Sequence, residues 1–241
     1  MAKDSTDVRE LARDLWRWER RHPEWHPGEF GATVGSYLIR TEGVTLLIDP
    51  LVDGEADPLL ETLDSLVEGS IRILISIPYH ARSAELFQRR YQGRDARILG
   101  HALVAKRLAD TAGFQALTGG EDIERVVRVH RIGRPVRAEL PIEIPSQRAL
   151  VFGDAIVEHE GALRLWESPV VKESRRRWYE ERFLPTMRLL TELDVDRILV
   201  THGRPVLKDG RAALVEALDR GPWQPPPVGG RRVVARDPIS G

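Results

Sequence analysis

An apolar run, Ile73-Leu-Ile-Ser-Ile77, gives way to the polar loop Pro78-Tyr-His-Ala-Arg-Ser83 before a helical pattern opens at Ala84-Glu-Leu-Phe87. In open α/β sheets, the loop after a strand's carboxyl end is where ligands and metals are handled. His80 is the residue of this loop best suited to proton transfer, because an unperturbed imidazole titrates at about 6.5. A loop histidine bonded to backbone is the plainer reading. Ser83 has no Gly-x-Ser-x-Gly elbow around it and reads as a helix N-cap rather than a nucleophile. Ser76 and Thr201 read as strand-end residues. His22, His26, His101, His130 and His159 show no paired ligand spacing. Gly119-Gly120 is a turn, since no phosphate-loop Lys-Ser/Thr follows it.

The elements that must position these side chains begin with an expected amphipathic helix over residues 4–19. There Val8, Leu11, Leu15 and Trp18 recur at helical spacing, with Asp4 or Ser5 as N-cap. His22-Pro-Glu-Trp-His-Pro-Gly28 breaks it. A hairpin follows over Thr33–Arg40 and Val44–Asp49, turning at Glu42-Gly43. A short helix carries Leu59, Leu60, Leu63, Leu66 and Val67 on one face. Residues 71–77 and 95–99 are expected strands, and residues 101–112 an expected helix ending at Gly113. From Arg125 to Val157 the pattern turns to β. A long helix over about 172–193 points Leu184, Met187, Leu190 and Leu193 inward. The strand Arg197-Ile-Leu-Val-Thr-His202 and a helix over 209–219 complete the chain before an irregular tail rich in Pro, Gly and Arg.

With 36 Lys and Arg against 37 Asp and Glu in 241 residues, no general attraction to nucleic acid or anionic membrane follows. Cysteine is absent, which excludes disulfides and thiolate metal sites. No apolar run approaches the roughly 20 residues needed to span a bilayer. The N-terminus lacks the apolar core of a secretory signal, so a cytoplasmic protein is expected.

Four segments in order carry a resemblance to the metallo-β-lactamase superfamily: Ser36-Tyr-Leu-Ile39 leading to Leu46-Leu-Ile-Asp-Pro50, the loop 76–83, Ala149-Leu-Val-Phe-Gly-Asp154, and Ile198-Leu-Val-Thr-His-Gly-Arg-Pro205. The resemblance spans about residues 30–220. It implies a four-layer αββα sandwich, to which the N-terminal helix would be an addition; pattern alone allows many α/β or α+β arrangements. It divides the chain into residues 1–28 (helix and Pro-rich connector), 29–221 (the metallo-β-lactamase-like domain) and 222–241 (tail).

The superfamily's metal loop reads His-x-His-x-Asp-His. Carried over by position, its ligands fall on Ile77, Tyr79, Ala81 and Arg82, and a mid-chain ligand falls near Arg134. Asp154, the bridging aspartate, and His202, the terminal ligand, survive, with Asp49 as a supporting residue. The loop is similar to a bacterial subgroup reading aromatic-His-x-Arg-Ser. Trp16-Arg-Trp18, His22-Pro-Glu-Trp25 and Leu207-Lys-Asp-Gly-Arg211 resemble the same subgroup.

Two surviving ligands cannot hold two metals, and a guanidinium is no ligand. The leading expectation is therefore a divergent, metal-free member with little or no hydrolase activity. It would bind a small anionic molecule through Arg82, Arg134, Tyr79 and Asp49, with an Arg82–Asp154 ion pair filling the old metal site. The alternative is a mononuclear hydrolase in which His80, Asp154 and His202 hold one zinc or similar divalent ion. The register of His80, one position beyond the usual second histidine, counts against that alternative. A third reading is a non-catalytic interaction protein. Neither nucleic acid nor membrane is an expected partner, and a homo-oligomer is allowed.

Overall fold

The computed structural model describes residues 8–25, 31–167 and 173–223. The chain runs through β1 (Arg9–Ala12), β2 (Leu15–Arg21), β3 (Thr33–Thr41), β4 (Val44–Ile48), α1 (Leu59–Leu66), β5 (Ser70–Ile75), α2 (Ala84–Arg90), β6 (Arg97–His101) and β7 (Phe114–Leu117). These seven strands form one sheet in chain order. Its first four strands are antiparallel, and β4 through β7 pair in parallel.

Next come β8 (Asp122–Ile123), β9 (Val127–Val129), β10 (Ile142–Ile144), β11 (Ala149–Phe152), β12 (Ile156–His159) and β13 (Ala162–Trp166). The helical stretch of α3 (Glu173–Trp178), a π turn (Tyr179–Phe183) and α4 (Leu184–Leu189) follows, then β14 (Arg197–Val200), α5 (Gly210–Arg220) and β15 (Pro222–Trp223). A second sheet has the order β14-β11-β10-β9-β8, with β11 and β14 parallel, and a small third sheet has the order β12-β13-β15.

Alternation along the strands sorts side chains into layers, as the period of two requires. Tyr37, Ile39, Leu46, Ile48 and Leu74 of the first sheet meet Ile142, Ile144, Val151 and Leu199 of the second in a central core. The opposite faces turn outward. Leu38, Leu47, Ile73 and Ile75 pack under α1 and α2 with Trp16, Trp18 and Phe87. Leu150, Phe152, Ile198 and Val200 pack under the helices carrying Phe183, Met187 and Leu214. The result is the αββα sandwich. No helix among the described residues is long and apolar enough to cross a membrane.

The expected N-terminal helix does not form where the chain is described: residues 9–21 make the β1–β2 hairpin, turning near Asp14 at φ +63°. The N-cap positions Asp4 and Ser5, part of the Pro-rich connector and the tail beyond residue 223 lie outside the described residues. The helical spacing of Val8, Leu11, Leu15 and Trp18 loses to tertiary pairing, because β2 matches β3 over its whole length, from Leu15 opposite Ile39 to Arg21 opposite Thr33. Trp16, Trp18 and Arg20 then share the outer face. There Arg20 makes a buried bidentate pair with Asp57, Nε to Oδ2 at 2.9 Å and Nη2 to Oδ1 at 2.8 Å, that ties the hairpin to the start of α1. Trp16 and Trp18 are core residues. The expected helix over 101–112 is a 3-10 stretch, Ala102–Arg107.

Candidate active site

Four chemistry-bearing residues lie at the carboxyl ends of parallel strands. Asp49 follows β4, His80 sits in the loop after β5, Asp154 follows β11 and His202 follows β14. The two sheets are joined at this edge. Gly35 N–H donates to Thr201 O (2.7 Å), Tyr37 O–H to Val200 O (2.7 Å) and Leu140 N–H to Ser76 O (2.7 Å).

Asp49, almost fully buried, organises the first-sheet half. Its Oδ1 accepts Ser76 N–H (2.8 Å), its Oδ2 accepts Ser76 O–H, and Thr201 O–H lies 3.4 Å from Oδ2. His80 Nδ1 stands 2.9 Å from the same Oδ2. A carboxylate only accepts, so the Nδ1 proton belongs to this contact and Nε2 is left facing the cleft. Ser76 and Thr201 thus hold Asp49 in place.

Gly153 is required where this half meets the other. A Cβ there would sit 2.5 Å from Ser76 Oγ and 3.1 Å from Ile77 Cγ2, and the Ser76 hydroxyl is already held by Asp49. Gly153→Ala is expected to cost about 1–3 kcal/mol through overpacking, read as a lowered melting temperature. Combined with Ser76→Ala, which itself removes a buried bond to Asp49, the loss should be smaller than the sum of the two single variants.

His80 enters the site although strand alternation sends its side chain away. Alternation ends at Ile77, because Pro78–Ala81 form a 3-10 turn in which His80 N–H donates to Ile77 O (2.9 Å). The turn brings Nε2 to 3.3 Å from Asp154 Oδ1, and His202 Nε2 reaches the same oxygen at 3.4 Å. The ring of Trp166 stands edge-on to His202, centroids 5.5 Å apart. Gly203 follows at φ +86°, where a Cβ would strike Glu158 O at 2.3 Å, so only glycine allows the chain to turn directly after His202.

Glu139, unremarked in the sequence, holds Asp154 from behind. Its buried carboxylate accepts the N–H groups of Gly153 (3.0 Å), Asp154 (3.2 Å) and Ala155 (2.8 Å to the nearer oxygen) and pairs with Arg137 at 2.9 Å. Arg137 continues to Glu167 (3.3 Å), which also meets Arg175 at 2.7 Å. Burial raises the Glu139 pKa, and Arg137 opposes the rise.

The charges at the centre are strongly coupled. Burial works against charge on Asp154, yet His80 and His202 outweigh it and hold the carboxyl well below the usual aspartate range. Burial and Arg82 oppose a charged His80, but Asp154 and Asp49 prevail and its pKa is raised. Burial lowers the pKa of His202, with Asp154 opposing.

The predicted Arg82–Asp154 ion pair is not made. Asp154 meets His80 and His202 instead, while the Nε and both Nη atoms of Arg82 are sealed from solvent with no hydrogen-bond partner. The backbone explains the difference: Arg82 adopts φ +32°, ψ −108°, so its side chain leaves at an angle no regular loop reading anticipates. Two other expected ligand-binding residues also lie outside the cluster. Tyr79 is 40% exposed, with the Arg107 guanidinium 4.6 Å from its ring centre. Arg134 donates to His101 Nε2 (2.8 Å) and Thr118 O (3.1 Å). His22, which shows no paired ligand spacing, has its pKa lowered by burial and by Arg82, His80 and His202.

His80, Asp154 and His202 suit a metal. One ligand atom from each lies within 4.8 Å of the others. Zinc–nitrogen and zinc–oxygen bonds of about 2.0–2.1 Å give tetrahedral ligand–ligand edges of about 3.3–3.4 Å. The two Nε2–Oδ1 distances, 3.3 and 3.4 Å, match such edges. Asp154 Oδ1 is buried between the two imidazoles. A lone pair on His80 Nε2 facing a carboxylate oxygen repels it unless a proton or a cation stands between them. The Asp49–His80 contact supplies the outer support that metal-bound histidines ordinarily have.

No protein-family model matches the sequence, and no curated protein matches it. The fold does have solved counterparts. A metallo-β-lactamase from Pontibacter korlensis superposes with a TM-score of 0.60 at 14% identity, covering 88% of this chain and 97% of that one. The rubredoxin oxygen:oxidoreductase of Desulfovibrio gigas gives 0.59 at 16% identity, covering 88% of this chain but 61% of that larger one. An archaeal metallo-β-lactamase superfamily protein from Sulfolobus tokodaii gives 0.57 at 16% identity, with 78% and 79% covered. The chain has the metallo-β-lactamase fold.

Proposed function

We propose that this protein is a mononuclear metal-dependent hydrolase whose ligands are His80, Asp154 and His202. The observation that carries this reading is the buried Asp154 Oδ1 flanked by two imidazole Nε2 atoms at 3.3 and 3.4 Å. The fold alone does not decide the chemistry, since a lactamase and an oxidoreductase share it. Three nitrogen and oxygen ligands with an open fourth position favour zinc or a similar ion. Such an ion, when bound, polarises a substrate carbonyl or phosphoryl group and makes water acidic enough to attack near neutral pH.

The chain's own residues prepare the site. Asp49 keeps the proton on His80 Nδ1, so that Nε2 presents a lone pair. Ser76 and Thr201 fix Asp49, and Glu139 fixes the backbone from which Asp154 projects. The edge of Trp166 limits how far the His202 ring can turn.

The purified protein is expected to carry close to one equivalent of zinc, iron or manganese. A strong chelator should remove it, lowering the melting temperature, and re-addition should restore both. Protein that contains no metal and takes none up would sink this reading. The second reading, a metal-free binding protein, is favoured by the raised pKa of His80, because an imidazolium between Asp49 and Asp154 closes the same charge arrangement without an ion.

A further inference from the structure

We infer that Arg82 is an oxyanion-recognition residue, and that the molecule taken up beside His80, Asp154 and His202 carries a carboxylate or phosphate group that its guanidinium grips. The inference names the substrate class for the hydrolase proposed above and rests on that reading for the word substrate. The recognition itself stands on Arg82 alone.

All three guanidinium nitrogens are excluded from solvent and lack a hydrogen-bond partner, which is unusual for the side chain with the most donors of any residue. Arg17 and Arg164 each leave one buried nitrogen unpartnered, but only Arg82 among the described residues leaves all three; Arg20 pairs with Asp57, Arg72 with Asp95 and Glu124, and Arg137 with Glu139 and Glu167. The nearby anions are already engaged, Asp49 with Ser76 and His80, Asp154 with His80 and His202. Asp49 and Asp154 answer the Arg82 charge only through space, so its hydrogen-bonding capacity is left for a ligand.

The backbone is strained on its behalf. A non-glycine residue at φ +32°, ψ −108° is rarely populated, and it is held there from both sides. On one side His80 N–H bonds Ile77 O; on the other Ser83 N–H bonds Pro50 O (3.3 Å) and Ser83 Oγ accepts Val52 N–H (3.1 Å). That frame fixes the backbone from which the guanidinium extends, two residues beyond His80. Its planar fork matches a carboxylate or phosphate in a bidentate grip that a lysine cannot copy.

The test compares the melting temperature of wild type, Arg82→Met, Arg82→Lys and His202→Ala across a titration of inorganic phosphate, repeated with acetate, with and without chelator. Wild type should be stabilised progressively by at least one of the two anions. Arg82→Met should melt higher than wild type without anion, retain wild-type metal content, and bind the anion on the order of ten- to a hundredfold more weakly. Arg82→Lys should fall between them, and it supplies the measurement should Arg82→Met not fold. His202→Ala, which removes a metal ligand and leaves Arg82 in place, should keep the anion response. The inference is overturned by an unchanged response in both Arg82 variants, by a response lost in His202→Ala but kept in Arg82→Met, or by no response to either anion in wild type. Because metal content is read separately, failure of the metal reading and failure of this one are told apart.

Discussion

Asp154→Asn is expected to strip the protein of its metal and to lower any hydrolytic rate by on the order of a thousandfold or more. An amide has nearly the shape of the carboxylate but carries no charge, so the fold should survive while the charged centre does not. Asp154 Oδ1 is the atom that both His80 Nε2 and His202 Nε2 approach. Loss of its charge removes the anionic ligand of the three and the several kcal/mol of electrostatic stabilisation that a bound ion lends a transition state. Metal analysis of the purified variant beside wild type checks the first part, and turnover of a generic ester or phosphodiester checks the second. A further readout needs no metal at all. Asp154 is one of the groups that hold the His80 pKa up, so the His80 ring should titrate at lower pH in the metal-free variant, which NMR follows directly. A variant that keeps full metal content would show that Asp154 is not a ligand.

Glu139→Ala should be strongly destabilising. Arg137 keeps Glu167 and Trp166 O, but the N–H groups of Gly153, Asp154 and Ala155 lose their buried acceptor. Buried donors left unpaired cost about 1–3 kcal/mol each, so a total of about 3–5 kcal/mol is expected. In a domain of this size that is a fall in melting temperature on the order of 10 °C. Glu139→Gln retains an oxygen and should cost less. Its metal affinity should still drop about 10- to 100-fold, as it does when outer support of a ligand is lost. A purely structural Glu139 would lower the melting temperature in both variants and leave metal affinity untouched in Glu139→Gln.

Much of the site was legible because it sits where strong local patterns stop. Asp49, Asp154 and His202 each end an apolar strand, and the sheet positions strand ends without help from distant residues. His80 and Arg82 were legible as candidates but not in their roles. A 3-10 turn and a residue at positive φ interrupt the strand's alternation, so His80 reaches Asp154 and Arg82 makes no ion pair with it. Glu139 was invisible for another reason: its partners are backbone groups 14 to 16 residues away, and no residue type marks them. The N-terminal segment failed by coincidence of period, since apolar residues spaced for a helix also alternate acceptably across a hairpin once β3 offers an edge. The layers themselves followed the resemblance, and the alternation of β3, β4, β5, β11 and β14 gives that resemblance a physical basis.

The sandwich is split along the chain as well as in space. Residues 9–117 supply every strand of the first sheet, and the second is drawn from residues 122–200. His80 comes from the first portion, Asp154 and His202 from the second. Anything held jointly by the three is a rivet through the seam between the two halves, set at the rim where the bonds of Gly35, Tyr37 and Leu140 also cross. Occupancy of the site and cohesion of the halves are then one equilibrium seen from two sides: whatever pries the sheets apart at that rim ejects the guest, and the guest resists the prying.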